Sequence, residues 1–179
     1  MRPDQSIDQT KVFISINFVV ITISDTRKIE NDKSGDILIS RINDLGHNIL
    51  HRQIVSDDKK DIVTVLQKWI TDEKTDVIIG TGGTGVTGRD VTPEAFESMY
   101  DKLIPGFGEL FRMLSYESIG TSTIQSRASA GVSNGTYLFA LPGSPGACRD
   151  AWDNILKYQL DSRVRPCNLV ELIPRLQES

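Results

Sequence analysis

Short runs of consecutive apolar residues alternate along this chain with stretches in which apolar positions recur every three to four residues. Phe18 to Ile23 is rich in Val and Ile, as expected of a buried strand; Ile49 to Val55 is expected as a second strand and the apolar run Val77 to Ile79 as a third. Between the first two runs, Leu38, Ile42 and Leu45 share a helical face, with Ser34 as the expected N-cap and Gly46 as the stop. Between the second and third, Ile62, Leu66, Trp69 and Ile70 share another, and Ser56, Asp57 or Asp58 can cap it. Pro93 then occupies a first helical position, with Phe96, Met99, Tyr100 and Leu103 as the expected buried stripe. Pro105-Gly106 breaks that helix, and Phe107, Leu110, Phe111 and Leu114 begin the next stripe. Met113 and Tyr116 lie off it, which leaves two readings open: a helix buried all round, or a subunit interface.

Ala128 to Val132 and Thr136 to Leu141 flank Asn134-Gly135, a strong hairpin signal. The second strand leads through Pro142-Gly143-Ser144-Pro145-Gly146 into a helix bearing Trp152, Ile155 and Leu156. Three strand–helix alternations before a hairpin predict an α/β fold: three α/β/α layers, a mostly parallel sheet and an antiparallel edge. One domain is expected over 11–170, with flexible tails at 1–10 and 171–179; the segment from Arg163 onward, with two prolines, should wrap the surface.

Composition narrows the function classes. A chain of 179 residues with 39% apolar and 25% charged residues suits one soluble domain with a full core. A net charge of −4 argues against bulk nucleic-acid binding, so an anionic ligand would need local positive groups. The apolar stretch from Val12 to Ile23 is interrupted by Ser15 and Asn17, is too short to span a bilayer and follows an acidic start; neither a membrane span nor a signal peptide is expected. Cys148 and Cys167 form no C-x-x-C and have no nearby histidine, which fits a reduced, cytoplasmic protein and argues against a thiol nucleophile. His47 and His51 lie on a predicted strand in a polar context, where a surface position is expected rather than metal binding.

The most informative segment runs from Gly80 to Asp90 (GTGGTGVTGRD), between the third strand and the helix start Thr92-Pro93-Glu94. Its five glycines let backbone N–H groups approach a phosphate, and Thr81, Thr84 and Thr87 add hydroxyl donors. Asp90 adds a carboxylate, which a phosphate site accommodates when a metal ion sits between. Gly80, Gly82 and Gly85 match G-x-G-x-x-G, but a dinucleotide fingerprint opens a helix at once, whereas here the helix waits until Pro93. Gly83 to Asp90 has P-loop spacing without its lysine or its magnesium-binding hydroxyl.

Ligands of parallel α/β sheets bind beyond the carboxyl ends of the strands. Four segments should meet there: Ser24-Asp25-Thr26-Arg27, Ser56-Asp57-Asp58, the glycine loop, and Pro142-Gly143-Ser144 with the helix that Ser144 caps. Arg127, before a strand, can reach an anionic ligand or form a surface ion pair. Asp57 and Asp90 each have a structural reading, as a helix cap and as a favourable charge at a helix start. Two such acids facing one glycine loop favour a magnesium–phosphate site.

Thr81-Gly82-Gly83-Thr84-Gly85, Arg89-Asp90-Val91-Thr92-Pro93-Glu94 and Pro105-Gly106-Phe107-Gly108-Glu109 together resemble the MoaB/MogA molybdopterin-binding family. Phe111 to Tyr116, Ile119-Gly120-Thr121-Ser122, Ser126-Arg127-Ala128 and Arg165-Pro166-Cys167-Asn168 are similar to its MoaB branch, and the likeness extends from about Phe18 to Asn168. The resemblance implies adenylylation of molybdopterin by ATP with Mg²⁺, releasing pyrophosphate, in molybdenum cofactor biosynthesis. The family's two acidic positions fall on Asp57 and Asp90. Some MoaB-type chains lack the first acid; this chain has both, although Ser56 stands where the family often has Pro and Asp58 is a neighbouring alternative. The implied sites are Asp57 and Asp90 for catalysis and metal, with Ser24, Asp25, Thr81, Gly82, Gly83, Thr84, Gly85, Arg127, Pro142, Gly143 and Ser144 for substrate and phosphate. The resemblance also implies a homotrimer or hexamer, with other molybdenum cofactor biosynthesis proteins as candidate partners. Two alternatives remain: a molybdopterin carrier without catalysis, and an assembly component docking a partner through the helix after Pro105. Molybdenum against tungsten downstream stays open.

Overall fold

A computed structural model describes residues 6–178 of the chain. Among these, six strands form one mixed sheet in the order β2-β1-β3-β6-β5-β4. β1 (Asn17–Ile23), β2 (Asn48–Val55), β3 (Val77–Thr81) and β6 (Thr136–Leu141) run parallel; β5 (Ser129–Ser133) and β4 (Lys102–Leu103) complete the edge antiparallel. Alternation along β1 splits the core. Phe18 and Val20 pack under α1 (Lys33–Leu45), α4 (Pro105–Ile119) and α5 (Pro145–Ala151); Val19, Ile21 and Ile23 pack under α2 (Lys59–Ile70) and α3 (Thr92–Glu97). Three layers result, as the periodicity predicts. α5 continues through a π turn (Trp152–Leu156) into α6 (Lys157–Gln159).

The chain leaves β1 on one side for β2 and returns on the other side for β3, so the carboxyl ends of β1 and β3 bound a topological switch point. The hairpin between β5 and β6 turns through Asn134 and Gly135, both at positive φ (45° and 83°), the geometry that favours Asn-Gly.

Several expectations are corrected. The N-cap of α1 is Asp32, whose carboxylate accepts from the Gly35 N–H at 3.0 Å. Ser34 is instead buried and donates to the Gly143 carbonyl at 2.8 Å. α3 stops at Glu97, before Met99, because the chain must turn to lay β4 on the sheet edge; Leu103 is therefore an exposed strand residue. Tyr100 still packs inward, over the bare Cα of Gly131, where a Cβ would stand 2.3 Å from its ring. α4 is not buried all round: Phe107, Gly108, Phe111 and Ser115 face the core while Met113 and Tyr116 are exposed.

His47 precedes β2 and is buried, not at the surface. Its ring lies 5.0 and 5.1 Å from the Phe13 and Phe18 centroids, and its Nδ1 accepts from the Ile16 N–H at 3.2 Å. Residues 1–5 of the expected N-terminal tail, and Ser179 of the C-terminal one, lie outside the described residues. The remainder of both tails is tied to the domain: Ile7 bridges to Val164, Asp8 pairs with Arg165 at 2.9 Å, and residues Val170–Arg175 form a 3₁₀ turn with Val170 buried.

Candidate active site

All four predicted segments meet at the carboxyl edge of the parallel strands. Glycine at two positions makes the approach possible. Gly82 has φ 115°, and a Cβ there would meet the Ile23 carbonyl oxygen at 2.2 Å. Gly83 has φ 59°, and a Cβ would stand 2.5 Å from Thr92 Oγ1 and 3.2 Å from Asp57 Oδ1. The loop after β3 is thus pressed between the end of β1 and the start of α3, with Asp57 against its backbone. On the other side, a Cβ on Gly143 would lie 3.0 Å from the Gly82 Cα.

Asp57 and Asp58 separate into two roles. Asp58 caps α2, its carboxylate accepting from Lys60 and Asp61 N–H groups at 2.8 and 3.1 Å. That leaves the Asp57 carboxylate facing the glycine loop. Asp57 and Asp25 clasp reciprocally: Asp25 N–H donates to Asp57 Oδ2 at 3.1 Å, and Asp57 N–H donates to Asp25 Oδ1 at 3.0 Å. Among the described residues no basic side chain bonds Asp57. Burial and then the neighbouring Asp90 charge push its carboxyl above the ordinary value of 3.8. Asp90 moves the opposite way, because Thr87 donates to Oδ2 from its hydroxyl at 2.6 Å and its N–H at 2.9 Å.

The other candidates divide. Thr81 is buried at the end of β3 and donates to the Pro142 carbonyl at 2.9 Å, so its hydroxyl ties two loops together. Ser24 Oγ accepts from the Thr26 and Arg27 N–H groups, and Ser144 Oγ caps α5 through Ala147 N–H at 3.1 Å. Arg127 donates from Nε to the Gly85 carbonyl at 2.7 Å and from Nη2 to the Asp90 carbonyl at 2.6 Å, and it pairs with Glu94. It braces the loop rather than projecting a free charge.

A cleft of about 590 Å³ opens beside the loop. Gly83, Thr84, Gly85 and Asp90 form one wall; Pro142, Gly143, Ser144 and Arg149 another; Phe111, Ser115, Ser118, Ile119, Ser122 and Gln125 a third. In sequence that third wall shows only a helix stripe and a likeness to the family, with no site role attached to it. Its signal was the run from Ser115 to Ser126, unusually rich in Ser and Thr for a helix end. Thr92, read in sequence only within the helix start and the family-like motif, has its hydroxyl buried behind Gly83 with no hydrogen-bond partner among the described residues.

Among the described residues no group of three or more His, Cys, Asp and Glu side chains forms a metal cage. The donor set nevertheless fits one hard cation. A carboxylate raised by burial and then by its neighbour, with no basic partner among the described residues, is relieved by a divalent ion, and Mg²⁺ ordinarily takes one or two carboxylates plus phosphate and water oxygens.

Among the described residues no helix is long and apolar enough to cross a membrane. The family described as "Probable molybdopterin binding domain" matches residues 19–162. Molybdenum cofactor biosynthesis protein B of Escherichia coli (strain K12) is 47% identical over 156 residues, covering 87% of this chain and 92% of that protein. The protein of the same name from Bacillus subtilis (strain 168) is 46% identical over 147 residues, covering 82% and 86%. A crystal structure of a molybdenum cofactor biosynthesis protein B superposes with a TM-score of 0.85 at 38% identity, covering 94% of this chain and all of that one. The tungsten cofactor synthesizing protein MoaB from Pyrococcus furiosus superposes at 0.72 with 37% identity, covering 79% and 91%. With a match over residues 19–162 and relatives this similar in sequence and fold, the chain belongs to the molybdopterin-binding domain family of molybdenum cofactor biosynthesis proteins.

Proposed function

We propose that this protein works in molybdenum cofactor biosynthesis by binding molybdopterin and adenylylating it with Mg-ATP. The observation that carries the reading is two carboxylates packed against one glycine loop: a Cβ on Gly83 would stand 3.2 Å from Asp57 Oδ1, and one on Gly85 2.8 Å from Asp90 Oδ2. A site that only carried an anionic pterin would gain nothing from a carboxylate without a basic partner. A site that joins two phosphate compounds does, because it must hold a cation between them.

In the proposed reaction a terminal phosphate oxygen of molybdopterin attacks the α-phosphorus of ATP. A new P–O bond forms, the bond to the β-phosphate breaks, and pyrophosphate leaves with the electron pair. Backbone N–H groups of the glycine loop align the phosphates, and Arg127 keeps that loop rigid through the Gly85 and Asp90 carbonyls. Asp57 and Asp90 would hold Mg²⁺, which supplies charge neutralisation between the two polyanions and on the leaving group. The mixed wall of Phe111, Ile119, Ser118, Ser122 and Gln125 offers apolar contact and hydrogen bonds suited to a flat polar heterocycle. Met113, Tyr116 and Ile124 are all more than half exposed along α4 and the turn after it, an apolar face suited to self-association into the homotrimer or hexamer that the resemblance implies.

The test is pyrophosphate release on mixing the protein with Mg-ATP and molybdopterin, beside an Asp57→Asn, Asp90→Asn double variant. Release that needs molybdopterin and disappears in the variant is expected. No release from the wild type, with tight molybdopterin binding in both proteins, would identify a carrier instead.

A further inference from the structure

The pyrophosphate leaving group needs a positive partner beyond the cation; Arg149 stands on the α5 wall of the cleft, and the three arginines bonded within the loops around Asp25 and Asp90 differ in whether they can serve. Arg27 is held by the Gly143 carbonyl at 3.0 Å, by Ser34 Oγ at 3.3 Å and by the Asp32 carboxylate. Arg127 is held by two loop carbonyls and Glu94. Moving either guanidinium would strip partly buried carbonyls of their donors, which is costly. Arg89 is different. Its side chain is 75% exposed, and the single partner found for it among the described residues is the Asp25 carboxylate. An exposed ion pair of this kind is weak, screened and readily exchanged.

Its position gives that exchange a direction. Arg89 immediately precedes Asp90 and follows Gly88, around which a Cβ would meet nothing within 4 Å. Its partner Asp25 is the residue clasped to Asp57 through two backbone hydrogen bonds. The guanidinium thus rests at the rim of the Asp57–Asp90 pair, on the acid beside the raised one. Resting on our reading of the site as one that splits pyrophosphate from ATP, we infer that Arg89 leaves Asp25 and binds the β- and γ-phosphates, neutralising the departing pyrophosphate. Asp25 holds it in store at the rim until those phosphates compete for it. A guanidinium offers two parallel N–H donors to phosphate oxygens, a stronger match than one exposed carboxylate already engaged with a backbone N–H.

The test is calorimetric binding of Mg-pyrophosphate, Mg-ATP and AMP to the whole protein, its Arg89→Gln variant and its Arg89→Lys variant. Because Arg89 is exposed, all three should unfold at similar temperatures. Arg89→Gln should weaken Mg-pyrophosphate and Mg-ATP about tenfold and leave AMP within about twofold, and Arg89→Lys should recover part of the loss. A purely structural role in holding the loop would weaken AMP as much as pyrophosphate, and that result overturns the assignment. So does unchanged pyrophosphate binding in Arg89→Gln, or a wild type that binds no Mg-pyrophosphate. Failure of the adenylylation reading looks different: Mg-pyrophosphate binds through Arg89, yet molybdopterin triggers no release from ATP.

Discussion

Two acidic clusters lie at the same edge of the sheet and have opposite characters. Asp32 is fully buried, and its carboxylate takes Thr22 Oγ1 at 2.7 Å, Gly35 N–H at 3.0 Å and Arg52 Nη2 at 3.0 Å, with Arg27 at 3.7 Å. Burial by itself would raise its carboxyl, yet these partners outweigh burial and hold it below 3.8. Asp57 is less buried, has one hydrogen bond from the Asp25 N–H, faces Asp90, and is raised. Burial with full compensation fixes α1 and the end of β1 in place. Charge with little compensation leaves Asp57 open to the cation proposed for it.

The largest effect expected is on the compensated side. Asp32→Ala removes the α1 cap and the buried bonds to Thr22 and Arg52, leaving Arg52, whose side chain is 18% exposed, with Asp36 as its carboxylate partner, so about 3 kcal/mol of stability should be lost in urea titration. A loss below about 1 kcal/mol would mean that Asp32 is no more structural than Asp57. Next comes the uncompensated side. Asp57→Asn or Asp90→Asn should each slow molybdopterin-dependent pyrophosphate release by about a hundredfold. Either variant turning over at the wild-type rate would remove that acid from the cation site.

Acid titration separates buried from functional groups by pH window. Burial lowers His47 from 6.5 to about 4, so its stabilising contribution is complete above pH 6.5 and is lost as pH falls towards 4. That loss should approach roughly 2–3 kcal/mol in the wild type and be absent from the slope of His47→Gln. Asp32, being lowered, loses its contribution only as pH falls below 3.8 through its folded value. A flat stability profile between pH 6.5 and 4 would show that His47 is solvated in solution.

The smallest effect has the opposite sign. Asp57 is raised, so its penalty is absent below pH 3.8 and complete once pH has risen through its folded value. Asp57→Asn should therefore raise the melting temperature of the ligand-free protein by about 1–2 °C at neutral pH, with no gain at acid pH. A fall in melting temperature would place Asp57 with Asp32, among the groups the fold needs.

Much of this protein can be read from local pattern. The periods of apolar residues mark the parallel strands and the faces of α1 and α2, because backbone geometry alone sets which side chains share a side. The Asn134-Gly135 turn and the glycines at Gly82 and Gly83 are readable for the same reason: each answers a backbone requirement at its own position. Adjacency of the four loops also follows, since parallel strands deliver their carboxyl ends to one edge.

Partner choice could not be read in this way. Asp57 and Asp58 are both plausible caps in sequence, and only the Lys60 and Asp61 N–H groups decide between them. His47, in a polar stretch, is buried by Phe13 and Phe18 from other parts of the chain. Arg127 and Arg89 look equally free on the page. One is immobilised by Gly85, 42 positions away, and the other rests on Asp25, 64 positions away. A residue's period depends on its neighbours in the chain, whereas its charge state and freedom to act depend on groups that only folding brings within 3 Å.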